Sequence, residues 1–322
     1  MDQIQTVYQK MQALHNAVLS GEKFATLPKD LFAVMASVKS VPATAVQAPE
    51  TTQATLDRLA DVAKLIKDAK APVLDDDTLR FLVAQLGSTD PQVRDKGAWF
   101  ALGDLLQNHV LSPAQVVWLF KQLQTPEVLF DHILEPHNDA VFKRSFAVMV
   151  LSAVVYADRT HYHVLTAQDY QNLVMPLAMY IALENDGRGY VEQSGWAHSF
   201  MHIANLLDEL TQIEPLKRAD KVFLLFTAVN AWQRMQDALV FGEDQRFALY
   251  LTNLAGTHQF YAQSLVLALT SWQRRLRNLR PGESLAFWNR WYNRSRLLEA
   301  CIMRADMPQI VVDYLQKIID MY

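Results

Sequence analysis

Two segments of this chain, DPQVRDKGAWFAL from Asp90 and DAVFKRSFAVMVL from Asp139, align without a gap at an offset of 49 residues. Val93 falls on Phe142, Arg94 on Lys143, Ala98 on Ala147 and Leu102 on Leu151. Ala197 and Ala248 continue the series at offsets of 50 and 51, and the residue seven later is apolar each time: Leu105, Val154, Ala204 and Ala255. Apolar residues seven apart share one face of a helix. Each aligned helix is preceded by another, so the chain reads as a series of helix pairs. One such pair cannot bury its apolar face alone, whereas stacked pairs share a continuous core. The expected architecture is all-α, a solenoid of stacked antiparallel helix pairs. A closed α/α toroid is the alternative with the same local pattern.

Helical periodicity extends over almost the whole sequence. It predicts helices at Ile4–Ser20, Lys29–Ser40, Gln53–Ala69, Thr78–Leu86, Pro91–Val110, Pro113–Leu123, Ala140–Tyr156, Ala167–Glu184, Gly195–Thr211, Leu216–Met235, Asp244–Gly256, Gln259–Arg277, Glu283–Arg304 and Pro308–Met321. Asp90-Pro91 and Ser112-Pro113 each combine an N-cap side chain with proline at the first helical position. Thr125-Pro126 could open a short extra helix, and no alternating run predicts a strand. Ten glycines and 12 prolines are too few for the turns of an all-β chain. Val41 to Thr52, VPATAVQAPETT, mixes Pro, Ala, Thr and Gln with no helical stripe and reads as a linker. The expected division is an N-terminal helical hairpin with its linker, residues 1–52, and a helical-repeat domain, residues 53–322.

The string Asp-Pro-x-Val-Arg-x-x-x-Ala from Asp90 resembles the second helix of a HEAT repeat, although Leu102-Gly103 sits one residue later than that pattern usually places it. Four longer stretches carry a second likeness: STDPQVRDKGAWFALGDLL from Ser88, DAVFKRSFAVMVLSAVV from Asp139, DGRGYVEQSGWAHSFMHIANLL from Asp186 and GEDQRFA from Gly242. Together they resemble the uncharacterised bacterial family catalogued as domain of unknown function 2785, over roughly Leu74 to Ala255. That resemblance implies a cytosolic helical protein with no established activity. The family pattern often has an aspartate three residues after the second histidine, where this chain has Asn205.

The densest cluster of chemistry is GRGYVEQSGWAHSFMH, Gly187 to His202. A glycine-punctuated turn carries Arg188 and Tyr190 and leads into a helix on which His198 and His202 are four apart, hence on one face. Two such histidines suit a metal or a general base, but zinc needs a third ligand and Asn205 is a poor one. No metal is therefore expected, with His198 and His202 the low-ranking candidates. If Ser194 or Gly195 starts the helix, His198 lies in its first turn, where the dipole favours neutral imidazole. Arg188 could hold an anionic or peptidic ligand, or lock a repeat joint by pairing with a carboxylate such as Glu243. Arg94, Lys143, Arg144, Asp244 and Arg246 stand at successive helix starts and form either a charged ladder or the lining of a groove. Arg144 leads directly into the apolar run Phe146 to Ala157. That run of about 12 residues is too short to span a bilayer.

Net charge is −4. Trp272 to Arg304 departs from it, with eight arginines, no lysine and only Glu283 and Glu299 as acids. There Arg274, Arg275, Arg277, Arg280, Arg290, Arg294 and Arg296 alternate with Trp272, Trp288 and Trp291. Arginine among aromatics can bind nucleic acid by phosphate contact and stacking, but the acidic remainder of the chain argues against it. The single cysteine, Cys301, fits a reducing compartment. The N-terminus has neither a basic n-region nor an apolar h-region, so a cytoplasmic protein is expected. No phosphate loop, nucleophile elbow or Cys–Cys spacing is present, and no cofactor is expected. The leading expectation is a non-catalytic repeat protein. It would bind a protein, peptide or small ligand on its concave side through Arg144, Arg188, Tyr190, Trp196, His198, His202 and Glu243. The alternatives are a hydrolase using the histidine pair, and nucleic-acid binding by the C-terminal arginines.

Overall fold

The computed structural model describes residues 3–68, 73–277 and 282–319. Arg280 and the predicted helix ends at Ala69 and Met321 lie outside them. Helices account for most of the described chain. They are α1 (Gln3–Leu19), α2 (Leu27–Ala36), α3 (Gln53–Asp68), α4 (Asp76–Gln85), α5 (Pro91–Val93), a π-helical stretch (Arg94–Trp99), α6 (Phe100–Gln107), α7 (Pro113–Gln122), α8 (Pro126–Leu129), α9 (Ala140–Ala157) with a π turn (Asp158–Tyr162), α10 (Ala167–Leu183), α11 (Ser199–Thr211), α12 (Arg218–Arg234), α13 (Glu243–Thr257), α14 (Gln259–Leu276), α15 (Leu285–Ile302) and α16 (Gln309–Ile318).

The starts obey local chemistry. Asp75 accepts from Thr78 N at 2.7 Å and so caps α4, and Asp90 accepts from Gln92 N at 2.8 Å ahead of Pro91. Ser112 and Gln115 close a reciprocal capping box on α7. Thr125-Pro126 does open the short α8.

Packing follows two rows. α6, α9, α11, α13 and α15 touch in sequence, and α8, α10, α12, α14 and α16 form the other succession. Leu105, Val154, Ala204 and Ala255, at the shared seven-residue offset, are all buried. α1 and α2 lie on α10, α12 and α14. This cover explains why α12, flanked on every side, is buried nearly all round instead of showing one apolar face. α9 is enclosed in the same way. With its π turn (Ala140–Tyr162) it is long and apolar enough to cross a bilayer by composition, yet most of that window is buried among the other helices.

Two expectations are corrected. A strand pair exists: β1 (Tyr190–Val191) pairs antiparallel with β2 (Gly195–Trp196). The helix expected from Gly195 begins at Ser199, and His198 precedes it as the N-cap with φ 48°. Ala197 is fully buried like Ala98, Ala147 and Ala248, but it lies before its helix, packed on Val141 and Phe142. α11 therefore begins about two turns late relative to α9, and the hairpin fills the vacated space.

The segment Val41 to Thr52 has no regular structure, yet it is fastened. Val41 N donates to Leu134 O at 2.9 Å, and Thr44 donates from N and Oγ1 to the Glu135 carboxylate at 2.9 and 2.7 Å. The Thr44 hydroxyl contact is the main influence holding the Glu135 carboxyl down to about 2. Glu135→Ala is expected to speed proteolytic cleavage within residues 41–52 several-fold at neutral pH, with cleavage elsewhere unchanged. Equal cleavage rates in variant and parent would show that other contacts hold the segment.

Candidate functional site

The hairpin is held from all sides by groups that need no flexibility. Ala197 N donates to Gly189 O at 2.8 Å, His198 N to Arg188 O at 3.1 Å, and Ser199 Oγ to Asp186 O at 2.5 Å. Arg94, fully buried in the π-helical stretch, reaches Ser88 O at 2.8 Å and Ser194 O at 2.7 Å. Its guanidinium lies over Phe142 and Phe146, 4.2 and 4.7 Å from the ring centroids, beside the Asp95 carboxylate. Gly195 has φ +76° and backs onto Pro91 and Arg94, and a Cβ on Gly189 would enter the Phe241 ring. Both positions therefore need glycine.

The predicted contact residues separate into three groups. Arg144 is 1 % exposed, its Nε and Nη2 donating to Glu184 Oε2 and Oε1 at 2.8 and 2.9 Å. Nη1 donates to Asp131 O at 2.7 Å. The Glu184 carboxylate also accepts from the Asn185 and Asp186 amides. Arg144 thus ties the 131–138 loop to the root of the hairpin segment and presents no free face to a ligand. Arg188 does not pair with Glu243. It grips Asp186 through Nε and Nη2, the latter at 2.7 Å, and reaches Asn138 O.

His198 and His202 form the second group. Their rings stand perpendicular with centroids 6.3 Å apart. His202 is 5 % exposed, and its Nδ1 lies 3.0 Å from Ser145 O. A carbonyl only accepts, so Nδ1 carries the proton. Burial pushes His202 down to about 3, aided by the neighbouring His198. Burial alone lowers His198 to about 4. Both are neutral at pH 7 through desolvation rather than through the expected helix dipole. His198 Nε2 and Glu243 Oε1 face each other at 3.6 Å, and neither has a hydrogen-bond partner among the described residues. Burial raises the Glu243 carboxyl. Asn205 accepts from Arg246 Nε, which also holds Asp208.

The third group is exposed. Trp196 stacks on His198 at 4.2 Å and meets Tyr190 and Phe241 edge to face at 5.0 and 5.4 Å. Tyr190, Trp196, Val240 and Phe241 all remain open to solvent. Val240 and Phe241 were missed in the sequence, where Leu239 to Phe241 reads as an ordinary loop. The available signal was an apolar triplet placed directly before Gly242 and a helix start.

The match to known proteins falls on this region. Residues 129–303, more than half of the chain, match the family described as protein of unknown function (DUF2785).

The chain belongs to that family.

No curated protein and no solved structure matches it. The DUF2785 match reaches further toward the C-terminus than the motif stretches suggested, and it begins after the Ser88 stretch. Within the DUF2785 region lies one further cluster, His137, Asp186 and Asp237, whose donor atoms fall within 4.8 Å of one another. These donors are already engaged. Arg188 occupies both oxygens of Asp186, while Asp237 Oδ2 accepts from Gly187 N at 2.7 Å and lies 2.9 Å from His137 Nε2. The hydrogen bond to Asp237 raises the pKa of His137. The cluster serves this DUF2785 chain as a latch between three loops. Cys301 is buried and its thiol is pushed up to about 12, which leaves it unreactive.

Proposed function

We propose that this DUF2785 protein is a non-catalytic, cytoplasmic binding protein built as a HEAT-like α-solenoid, and that its hairpin face takes a peptide segment of a partner protein. The two rows of sequential helix contacts and the shared buried positions support the solenoid. One observation carries the binding reading. Four large apolar residues, Tyr190, Trp196, Val240 and Phe241, stay exposed together on backbone tied down by hydrogen bonds and close glycine contacts. Rigid aromatic anchors lose little entropy on contact and dominate the energetics of protein interfaces. The unpartnered His198 Nε2 and Glu243 Oε1 beneath them offer an acceptor to any donor that reaches past Trp196.

Selection from a displayed random-peptide library tests the proposal. Peptides enriched on the parent protein are expected to lose about tenfold or more in affinity on Trp196→Ala and on Phe241→Ala, since truncating a buried anchor removes more than about 1.4 kcal/mol. Tyr156→Ala, exposed elsewhere, leaves them unchanged. Selected peptides that bind Trp196→Ala as tightly as the parent overturn the reading.

A further inference from the structure

Three arginines of the arginine-rich segment turn toward a cavity of about 380 Å³ between α2, the end of α12, α14 and α15, while Arg274 and Arg277 are exposed. Arg234, Arg275, Arg290 and Arg294 line it, against Phe32 and Trp291. Among the described residues no aspartate or glutamate lines it. Arg294 is buried and Arg234, Arg275 and Arg290 are partly buried, and their surroundings differ from those of Arg94 and Arg144. Arg94 lies beside Asp95, and Arg144 is clasped by Glu184. Burying a cation without a counter-charge is costly, so such groups are normally paired.

The donors that remain unused point to what belongs there. Among the described residues Arg234 makes one hydrogen bond, from Nη1 to Ala182 O at 3.1 Å. Arg294 is 3 % exposed and among the described residues uses Nη2 alone, on Gln273 Oε1 and Ile318 O. Among the described residues Arg275 has neutral partners only, Gln233, Asn230 and Ser271, and it stacks over Phe32 at 4.2 Å. Burial alone lowers both Arg234 and Arg275 to about 10, with no carboxylate opposing it. Trp291 and Phe287 stand near-parallel, with centroids 6.2 Å apart, as an aromatic wall. A second cavity, of about 720 Å³, adjoins the first and shares Val38, Arg234 and Gln236 with it.

We infer that this cavity is a binding site for a phosphorylated small molecule bearing a flat ring, a nucleotide in chemical class. The guanidinium groups of Arg234 and Arg290, which line the cavity, take the phosphates, as planar forks suited to bidentate contact with anions. The aromatic wall takes the ring. The cavity falls within the usual size range for small-ligand pockets, and its arginines are drawn inward rather than spread over a surface as a polynucleotide track needs. The inference does not rest on the reading of the hairpin face.

Calorimetric titration of the full chain with ATP and with inorganic pyrophosphate, at low and at physiological salt, tests it. ATP is expected to bind, and pyrophosphate about tenfold more weakly for want of stacking. Arg234→Gln and Arg290→Gln each weaken ATP by about tenfold or more, while Arg218→Gln, a surface charge change, leaves it unaltered. Ligand-free Arg234→Gln melts no lower than the parent, because an uncompensated charge is removed, whereas a purely structural arginine would lower the melting temperature. Absence of binding at millimolar ATP overturns the site, as does equal weakening by Arg218→Gln. Pyrophosphate binding as tight as ATP overturns the ring assignment.

Discussion

Glu184→Gln is expected to cost about 3–5 kcal/mol of unfolding free energy, the largest effect of any single conservative change in this protein. The substitution keeps shape and removes charge, so Arg144 remains buried with its guanidinium uncompensated. Glu184 Oε1 receives the Asn185 and Asp186 amides together with Arg144 Nη2, which a Gln oxygen can still accept, but the side-chain NH₂ then faces Arg144 Nε and the bond to Oε2 is lost. In a chain of this size the loss corresponds to a fall in Tm of roughly 6–15 °C. The double variant Arg144→Met, Glu184→Met recovers part of it, because neither charge is then buried alone. Denaturant titrations of both variants measure the difference. A single variant within 1 kcal/mol of the parent, on the order of an exposed ion pair, would show that the pair holds nothing together.

Acidification from pH 6.5 to pH 5 is expected to remove about 2 kcal/mol of stability through His202 alone. Its folded value of about 3 lies below the 6.5 of the free side chain. The unfolded chain therefore binds the proton first, and each pH unit below 6.5 favours it by about 1.4 kcal/mol until the folded value is reached. His198, at about 4, adds to the slope. Its proton arrives opposite Glu243, whose raised carboxyl takes up protons in the folded state and offsets part of that addition. His137 has the opposite sign. Its raised value means that the latch to Asp237 is fully present below 6.5 and weakens as the pH climbs through the folded value. Stability curves of the parent and of His202→Gln between pH 7.5 and 5 separate these effects. The window lies above the ordinary carboxylate range, so acids other than the raised Glu243 and Asp95 contribute little. A parent curve that is flat from 6.5 to 5 would mean that His202 reaches solvent.

Much of the architecture was legible because helix chemistry is local. Asp90 and Ser112 cap where their sequence contexts predict, since a cap involves only neighbouring amides. The register of Ala98, Ala147 and Ala248 was legible for a similar reason, as buried small residues recur wherever helices pack closely. The strand pair was not. Tyr190–Val191 and Gly195–Trp196 are two residues each, too short for any periodic signal. Their shape is imposed by Arg94, 100 residues away, reaching Ser194 O. The late start of α11 has the same origin, because Ala197 was already committed to the pocket of Val141 and Phe142.

The roles of the polar residues divide along the same line. By itself the sequence determined a mostly helical chain, the caps of several of its helices and the segment around Arg188 to His202 as the richest in chemistry. It also determined the concentration of arginine between Trp272 and Arg304. Only the tertiary structure decided which charges are spent and which are not. Arg144 and Arg188 are consumed by Glu184 and Asp186, His202 by Ser145 O, while Arg234 and Arg290 line a cavity with no carboxylate among the described residues. The reason is physical. Periodicity and capping depend on residues within a turn or two, but the fate of a buried charge depends on which partner the fold brings within about 3 Å, and that partner lies 40 to 60 residues away for Arg144 and His202.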